Sequence, residues 1–275
     1  VPTYGFNLVA WDKGDSINLS DGTKNVKFTV KSVGHNPANC TFYGQNGVSS
    51  NAKQYVAIYP YDIKHQFEGS KVKNVTLPSA QNAVAGSYDP TCNLMVAKTG
   101  SMIGSMTFYH VCSYIKVKPT FDCVRVVFKA KGANDKLAGT FDVNVDDEDT
   151  SVENVTNESK SVTLVGDIKK DSVYFIMVLP GTYKDGIEVD FEPKPSKDMI
   201  NVEDSTITTY AYKFTGSATL NAKRSDITSF EGITPKKDDS TEHTTKFVYL
   251  GSDLQSKLNE NSGDIVLWAK YNLGA

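Results

Sequence analysis

The stretch Tyr174-Phe175-Ile176-Met177-Val178-Leu179-Pro180-Gly181 decides the fold. An unbroken run of apolar and aromatic residues is stopped by a Pro-Gly pair. Such a run suits a strand buried on both faces at the centre of a sandwich. Proline ends it because it has no N–H for the ladder and forces the preceding residue into extended geometry. An earlier counterpart is Tyr55-Val56-Ala57-Ile58-Tyr59-Pro60. The two lie about half a chain apart, too far for a solenoid repeat and suited to two similar domains.

Composition agrees with sheets. Tyr (14) and Phe (13) are abundant, and Gly (20) with many Asn, Asp, Ser and Thr supplies turns. At 275 residues the chain can bury two cores. A net charge of −3 gives no basic stripe for nucleic acid. No run approaches the roughly 20 apolar residues of a membrane helix. No signal peptide is visible, and Val1-Pro2-Thr3-Tyr4 reads as a mature or trimmed start.

Strand signals recur every ~8–15 residues with turn residues between them, as in an all-β sandwich. Ser16–Leu19 and Asn25–Val30 alternate around Asp21-Gly22 and form a hairpin. Further strands are expected at Cys40–Gly44, Lys71–Leu77, Asn93–Ala97, Met106–Val117, Cys123–Lys129, Leu137–Val145, Ser161–Val165, Gly186–Phe191 and Thr206–Phe214. The acidic stretch Asp146–Lys160 reads as a solvated loop, and 232–242 as a charged linker. Helical periodicity is confined to Asp253–Asn259. The domains are then 1–107, 108–231 and a linker with C-terminal extension, 232–275.

No grouping carries catalytic chemistry. His35, His65, His110 and His243 are scattered without metal-ligand spacing. There is no G-x-S-x-G elbow, P-loop or dinucleotide fingerprint, so neither an enzyme nor a cofactor is expected. Asp142, Asn144, Asp146 and Glu153 fall at positions 1, 3, 5 and 12 of a calcium-loop pattern, but Asp147 stands where the loop needs Gly, and the valine alternation favours a strand end. Cys40, Cys92, Cys112 and Cys123 are too few for a disulfide scaffold. Cys112 and Cys123 flank Lys118-Pro119-Thr120 and could face each other across a hairpin, or be buried thiols like most free Cys. Tyr43, Tyr61, Phe67 and Tyr88 sit in or near loops, where they could stack on sugars or pack on their own loops.

In order, these pieces resemble Bacteroides-type fimbrillin-like proteins. Trp11-Asp12-Lys13-Gly14-Asp15-Ser16-Ile17 resembles their W-x-x-G-D-x-I opening. Phe42-Tyr43-Gly44 followed by Tyr55–Pro60 resembles F-x-G … Y-x-A-x-Y-P, and Leu77-Pro78-Ser79-Ala80-Gln81 resembles L-P-x-x-Q. Met106–Lys116 is similar to their F-x-N-x-C/A-x-L-K-F segment, with His110 where Asn is common. Leu137-Ala138-Gly139 and Tyr174–Gly181 resemble the second-domain L-x-G and Y-x-x-V-L-P-G. The match spans roughly residues 8–215.

The resemblance implies two tandem transthyretin-like Greek-key sandwiches, export as an outer-membrane lipoprotein through an N-terminal lipid anchor, and assembly into pili by donor-strand exchange with other fimbrial subunits. No Arg precedes Arg125 to serve as an Arg-specific cleavage site. Lys246–Gly251 and Ile265–Ala275 resemble the opening of a module that follows fimbrillin-like domains in surface proteins. That favours a tip or surface adhesin, with a host or bacterial glycan or protein as receptor. Alternatively, Ile265–Tyr271 is itself a donor-like strand. The competing expectation is a stand-alone glycan-binding lipoprotein of a polysaccharide-uptake system, contacting sugar through Tyr61 or Tyr88.

Overall fold

A computed structural model describes residues 10–45, 47–100, 105–146, 149–230, 233–248 and 268–269. The protein is all-β, and its sheets stack into sandwiches around a main apolar core, with a second, smaller apolar cluster on the first sheet. Apart from two single-turn 3-10 segments, the described regular structure is strand.

The first sheet has six antiparallel strands in the order Cys40–Tyr43, Asn25–Val33, Ser16–Ser20, Tyr55–Tyr59, Met95–Thr99 and Tyr109–His110. Tyr55–Tyr59 lies inside it, and every residue of the strand is buried. Alternation divides its side chains between two environments. Val56 and Ile58 join Val96, Val72, Val75, Leu77 and Phe141 in the main core. Tyr55, Ala57 and Tyr59 face the other way, beside Ile17, Leu19, Phe28, Met95 and Ala97. Among the described residues no second sheet covers this other face. Trp11, Val48, Ala52, Met106 and Phe108, all from irregular segments, cap it instead. Trp11 is the keystone, edge-on to Phe42, Tyr59 and Phe108 at centroid distances of 5.1, 5.2 and 5.3 Å.

Opposite the main-core face runs a four-stranded sheet: Ser151–Ser159, Ala138–Asn144, Lys71–Leu77 and Gln66–Glu68. A larger sheet contains, in order, Trp268–Ala269, Lys236–Val248, Thr206–Gly216, Ile187–Pro193, Cys123–Ala130, Ser161–Ile168 and Ala80–Asn82. Three pairings cross residue 107: Met95–Thr99 with Tyr109–His110, Lys71–Leu77 with Ala138–Asn144, and Ala80–Asn82 with Ser161–Ile168.

Tyr174–Val178 is also buried throughout, but it is not central. It forms one edge of a three-stranded sheet, antiparallel to Ser113–Val117, which pairs in parallel with Ile227–Phe230. A buried edge strand must satisfy its outward backbone groups elsewhere. Here the Phe175 N–H donates to the Ser87 carbonyl (3.1 Å) and that of Leu179 to the Leu137 carbonyl (2.8 Å). Between them the Gln81 side chain acts as a surrogate strand residue. Its Oε1 accepts from the Met177 N–H (2.9 Å), and its Nε2 donates to the Met177 carbonyl (2.8 Å).

Several sequence expectations are corrected. Met106–Val117 is not one strand: Tyr109–His110 belongs to the six-stranded sheet and Ser113–Val117 to the three-stranded one. Cys112 and Cys123 therefore do not face each other across a hairpin, since the segment between them passes from one sheet to another, and all four cysteines are free thiols. Within the acidic stretch, Ser151–Ser159 is an edge strand, because Val152 and Val155 pack on the core while the acids face water. The charged linker contains the 13-residue strand Lys236–Val248. It has no apolar alternation because it adds to a half-exposed edge, where Lys213–Asp238 (2.9 Å) and a Thr208–Thr244 hydroxyl contact (3.0 Å) replace burial. Asp253–Asn259 lies outside the described residues. Of the C-terminal segment, Trp268–Ala269 pairs with Phe247–Val248 of the same chain.

Candidate binding surface

Strand Asn25–Val33 lines an open polar groove. Val26, Phe28 and Val30 turn into the Trp11 cluster, so Asn25, Lys27 and Thr29 emerge on the opposite face. Thr29 pairs with Tyr43 of the edge strand, which places the Tyr43 ring on that face too. Tyr43 is 58% exposed, so its ring remains available to a ligand. The Lys31 ammonium lies 5.7 Å from the Tyr43 ring centroid, and that of Lys27 lies 4.8 Å from the Tyr61 ring. Each is a cation–π contact worth about 0.5–1 kcal/mol at an exposed site. Beside Lys27 and Tyr43 runs an open groove of about 790 Å³, lined by Lys24, Asn25, Val26, Lys27, Thr29, Tyr43 and Gln45. None of the ion pairs among the described residues involves Lys24, Lys27 or Lys31.

Tyr61 is held rigidly. Its N–H donates to the Ser16 carbonyl (2.8 Å). The fully buried Asn18 side chain pins the next residue on both sides, accepting from the Asp62 N–H (2.9 Å) and donating to the Asp62 carbonyl (3.1 Å). The same amide meets the Asn25 side chain (3.0 Å) and His65 Nδ1 (3.0 Å), while Asn25 donates to the His65 carbonyl (3.0 Å). Burial keeps the His65 pKa below its ordinary value, opposed by the nearby Asp62 charge. This buried polar network fixes the loop from which Tyr61 meets Lys27.

A second polar region lies on the outer face of the large sheet. Cross-strand pairs there match their charges: Arg125–Glu192 (2.5 Å), Lys129–Glu188 (3.1 Å), Lys129–Asp190 and Lys213–Asp238 (2.9 Å). A cavity of about 320 Å³ beside them is lined by Arg125, Asp190, Glu192, Tyr210, Thr241 and His243. Asp190 Oδ1 is buried without a hydrogen-bond partner among the described residues.

The four loop aromatics separate into two classes. Phe67 and Tyr88 pack on the main core. Tyr88 stacks on Tyr114 at 5.7 Å, and its hydroxyl accepts from the Asn93 amide (3.1 Å), so it is not presented for sugar stacking. Tyr43 and Tyr61 form the surface described above. The calcium-loop pattern is dispersed. Asp142 accepts from the Asn154 amide (2.9 Å), Asp146 pairs with Lys98 (2.9 Å) and Glu153 with Lys71 (2.9 Å), while Asn144 lies opposite Ser151. Among the described residues no cluster of His, Cys, Asp or Glu is arranged to hold a metal. His35 lies in an exposed turn, and His243 sits on the outer ribbon opposite Thr209. His110 Nδ1 lies 2.7 Å from the Tyr114 hydroxyl and 3.1 Å from the Asn93 amide oxygen. Burial, with the Arg224 charge, lowers its pKa to about 4.

Lys27 and Lys31 went unmarked in the sequence reading. The signal was present: alternation in Asn25–Lys31 places Asn, Lys, Thr and Lys on one face and Val, Phe and Val on the other.

No family model matches the chain, and no curated protein matches it. Among solved structures it is similar to the crystal structure of a candidate cell adhesion protein from Bacteroides ovatus. That match has 14% identity and a TM-score of 0.46, covering 84% of this chain and 87% of that one.

Proposed function

We propose that the protein is a cell-surface fimbrial subunit or tip-type adhesin, exported to the outer membrane and assembled by strand donation. In this reading it is built from two related transthyretin-like domains whose sheets share strands. The observation that carries the proposal is the outer face of the six-stranded sheet. It bears a full apolar set of Ile17, Leu19, Phe28, Val30, Tyr55, Ala57, Met95 and Ala97, yet irregular segments anchored by Trp11 cap it. A donated strand could replace those caps, burying alternate side chains on the apolar face and pairing along the Cys40–Tyr43 edge. The ordered motifs from Trp11 to Gly181 support the same family reading. Nothing in the site geometry favours catalysis, and no enzymatic role is proposed.

The test is assembly. Limited proteolysis that removes the segment through Trp11 opens the apolar face, and mixing the product with intact chain should give oligomers that resist SDS. Trp11→Ala should promote the same exchange without cleavage. A chain that stays monomeric in both experiments, and in mixtures with purified fimbrial subunits, overturns the strand-donation reading.

A further inference from the structure

The groove face of the first sheet has the chemistry of a receptor site. We propose that Lys27, Lys31, Tyr43 and Tyr61, with Lys24 at the groove wall, bind an acidic polysaccharide. The proposal deepens the adhesive reading by naming a receptor class. It rests on surface display, not on strand donation.

Three features of the face select this ligand. First, its cations are not matched by acids. On the large sheet Lys129 and Lys213 each have carboxylate partners, whereas Lys24, Lys27 and Lys31 take part in none of the ion pairs among the described residues. Second, the lysines are preorganised. Each of two ammonium groups rests over a tyrosine ring, so less side-chain entropy is lost on meeting an anion. The exposed part of Tyr43 and the tyrosine hydroxyls are free to meet the C–H face and hydroxyls of a pyranose. Third, the face is long. Lys27 and Lys31 are four positions apart on one strand, about 13 Å at strand spacing, more than one small anion spans. An extended polymer with repeating carboxylates or sulfates meets both. The polar lining beside them, Thr29 and Gln45, suits hydroxyls.

Nucleic acid fits less well. One face of each ring is already occupied by an ammonium group, leaving less platform for base stacking.

The test titrates the full chain with polygalacturonate and hyaluronan, with dextran as a neutral polymer and oligo-dT and polyglutamate as other polyanions. Acidic polysaccharide should bind and dextran should not. Affinity should fall as salt rises, as for any charge-led association. Lys27→Glu with Lys31→Glu should weaken binding by about tenfold or more, because rim charges govern such encounters. Tyr43→Ala and Tyr61→Ala should each weaken it several-fold, and Lys184→Glu, in an exposed turn elsewhere, should leave it unchanged. Thermal melts matching the parent exclude misfolding, since Lys27, Lys31 and Tyr43 are exposed. Absence of binding, binding unaffected by the groove variants, or tighter binding of oligo-dT or polyglutamate overturns the proposal. Failure here leaves the oligomerisation test untouched, and failure of oligomerisation leaves this one standing.

Discussion

Gln81→Ala is predicted to be among the most damaging substitutions in the chain, although residue 81 lies far in sequence from the strand it supports. The Gln81 side chain is fully buried and makes two short hydrogen bonds to Met177, with a longer contact from Nε2 to the Pro78 carbonyl (3.4 Å). Removing it leaves the Met177 N–H and C=O buried and unpaired. Each costs about 1–3 kcal/mol. The vacated volume adds about 1 kcal/mol for the lost packing of the aliphatic stem. The expected loss is about 3–7 kcal/mol, a large share of a typical domain's stability. Gln81→Glu separates the two bonds. An ionised carboxylate still accepts from the Met177 N–H but presents a second acceptor to the Met177 carbonyl. Only the protonated acid can donate there, so folding raises that glutamate's pKa above its unfolded value near 4.3. By linkage, its support is present below that value and is lost as pH rises through the folded pKa. The deficit of Gln81→Glu relative to the parent at the same pH should therefore shrink towards low pH, while that of Gln81→Ala stays constant. Urea unfolding followed by fluorescence measures both, with the exposed Gln66→Ala as a neutral comparison. A Gln81→Ala loss under about 1 kcal/mol at unchanged m-value would refute the surrogate-strand argument.

Three further outcomes follow from the packing. His110 has a folded pKa of about 4 against an ordinary 6.5, so between those values the unfolded chain binds more protons. Stability is then highest above pH 6.5 and falls as pH drops towards 4, by up to about 2–3 kcal/mol from this residue. In His110→Asn that part of the slope should disappear, leaving the like-signed contribution of His65, and a pH–stability curve parallel to the parent's would contradict it. Burial raises the thiol pKa of Cys112, and raises those of Cys92 and Cys123 to about 12 and of half-buried Cys40 to about 11. Ellman's reagent should therefore find only Cys40 slowly reactive in the native protein and all four thiols after denaturation, and a thiol missing in denaturant would mean a disulfide. Gly139 has φ +152°, and a Cβ there would lie 2.7 Å from the Thr156 carbonyl oxygen. Gly139→Ala should cost about 2 kcal/mol or more, and a chemical denaturation midpoint equal to the parent's would show that the strand shifts freely.

The parts of the sequence that were legible share one physical role: they join segments far apart in the chain. Trp11 carries Phe42, Tyr59 and Phe108 on its ring, and Asp15 of the same opening motif accepts from the Tyr59 hydroxyl (3.0 Å). Gly44 is required because a Cβ there would lie 2.7 Å from the Phe28 ring. Gln81 and Leu137 close the edge of the strand that ends at Pro180. Such residues leave strong signals because only one side chain fits each place. The apolar runs were legible for the same reason, although alternation alone could not tell an interior strand from an edge closed by a glutamine. The strands Ser151–Ser159 and Lys236–Val248 were missed because their stability comes from backbone pairing and cross-strand charge, which leave no hydrophobic period. The candidate binding face belongs to that second class. Lys27 and Lys31 are compatible with an ordinary solvated strand, and only the fold, by bringing Tyr61 across on the loop pinned by Asn18 and Tyr43 alongside from the edge strand, turns two surface lysines into a preorganised pair. Fold-determining residues in this protein are therefore the conspicuous ones. Residues able to meet a partner are inconspicuous because an exposed polar position admits many side chains, and what distinguishes them is the company the fold provides.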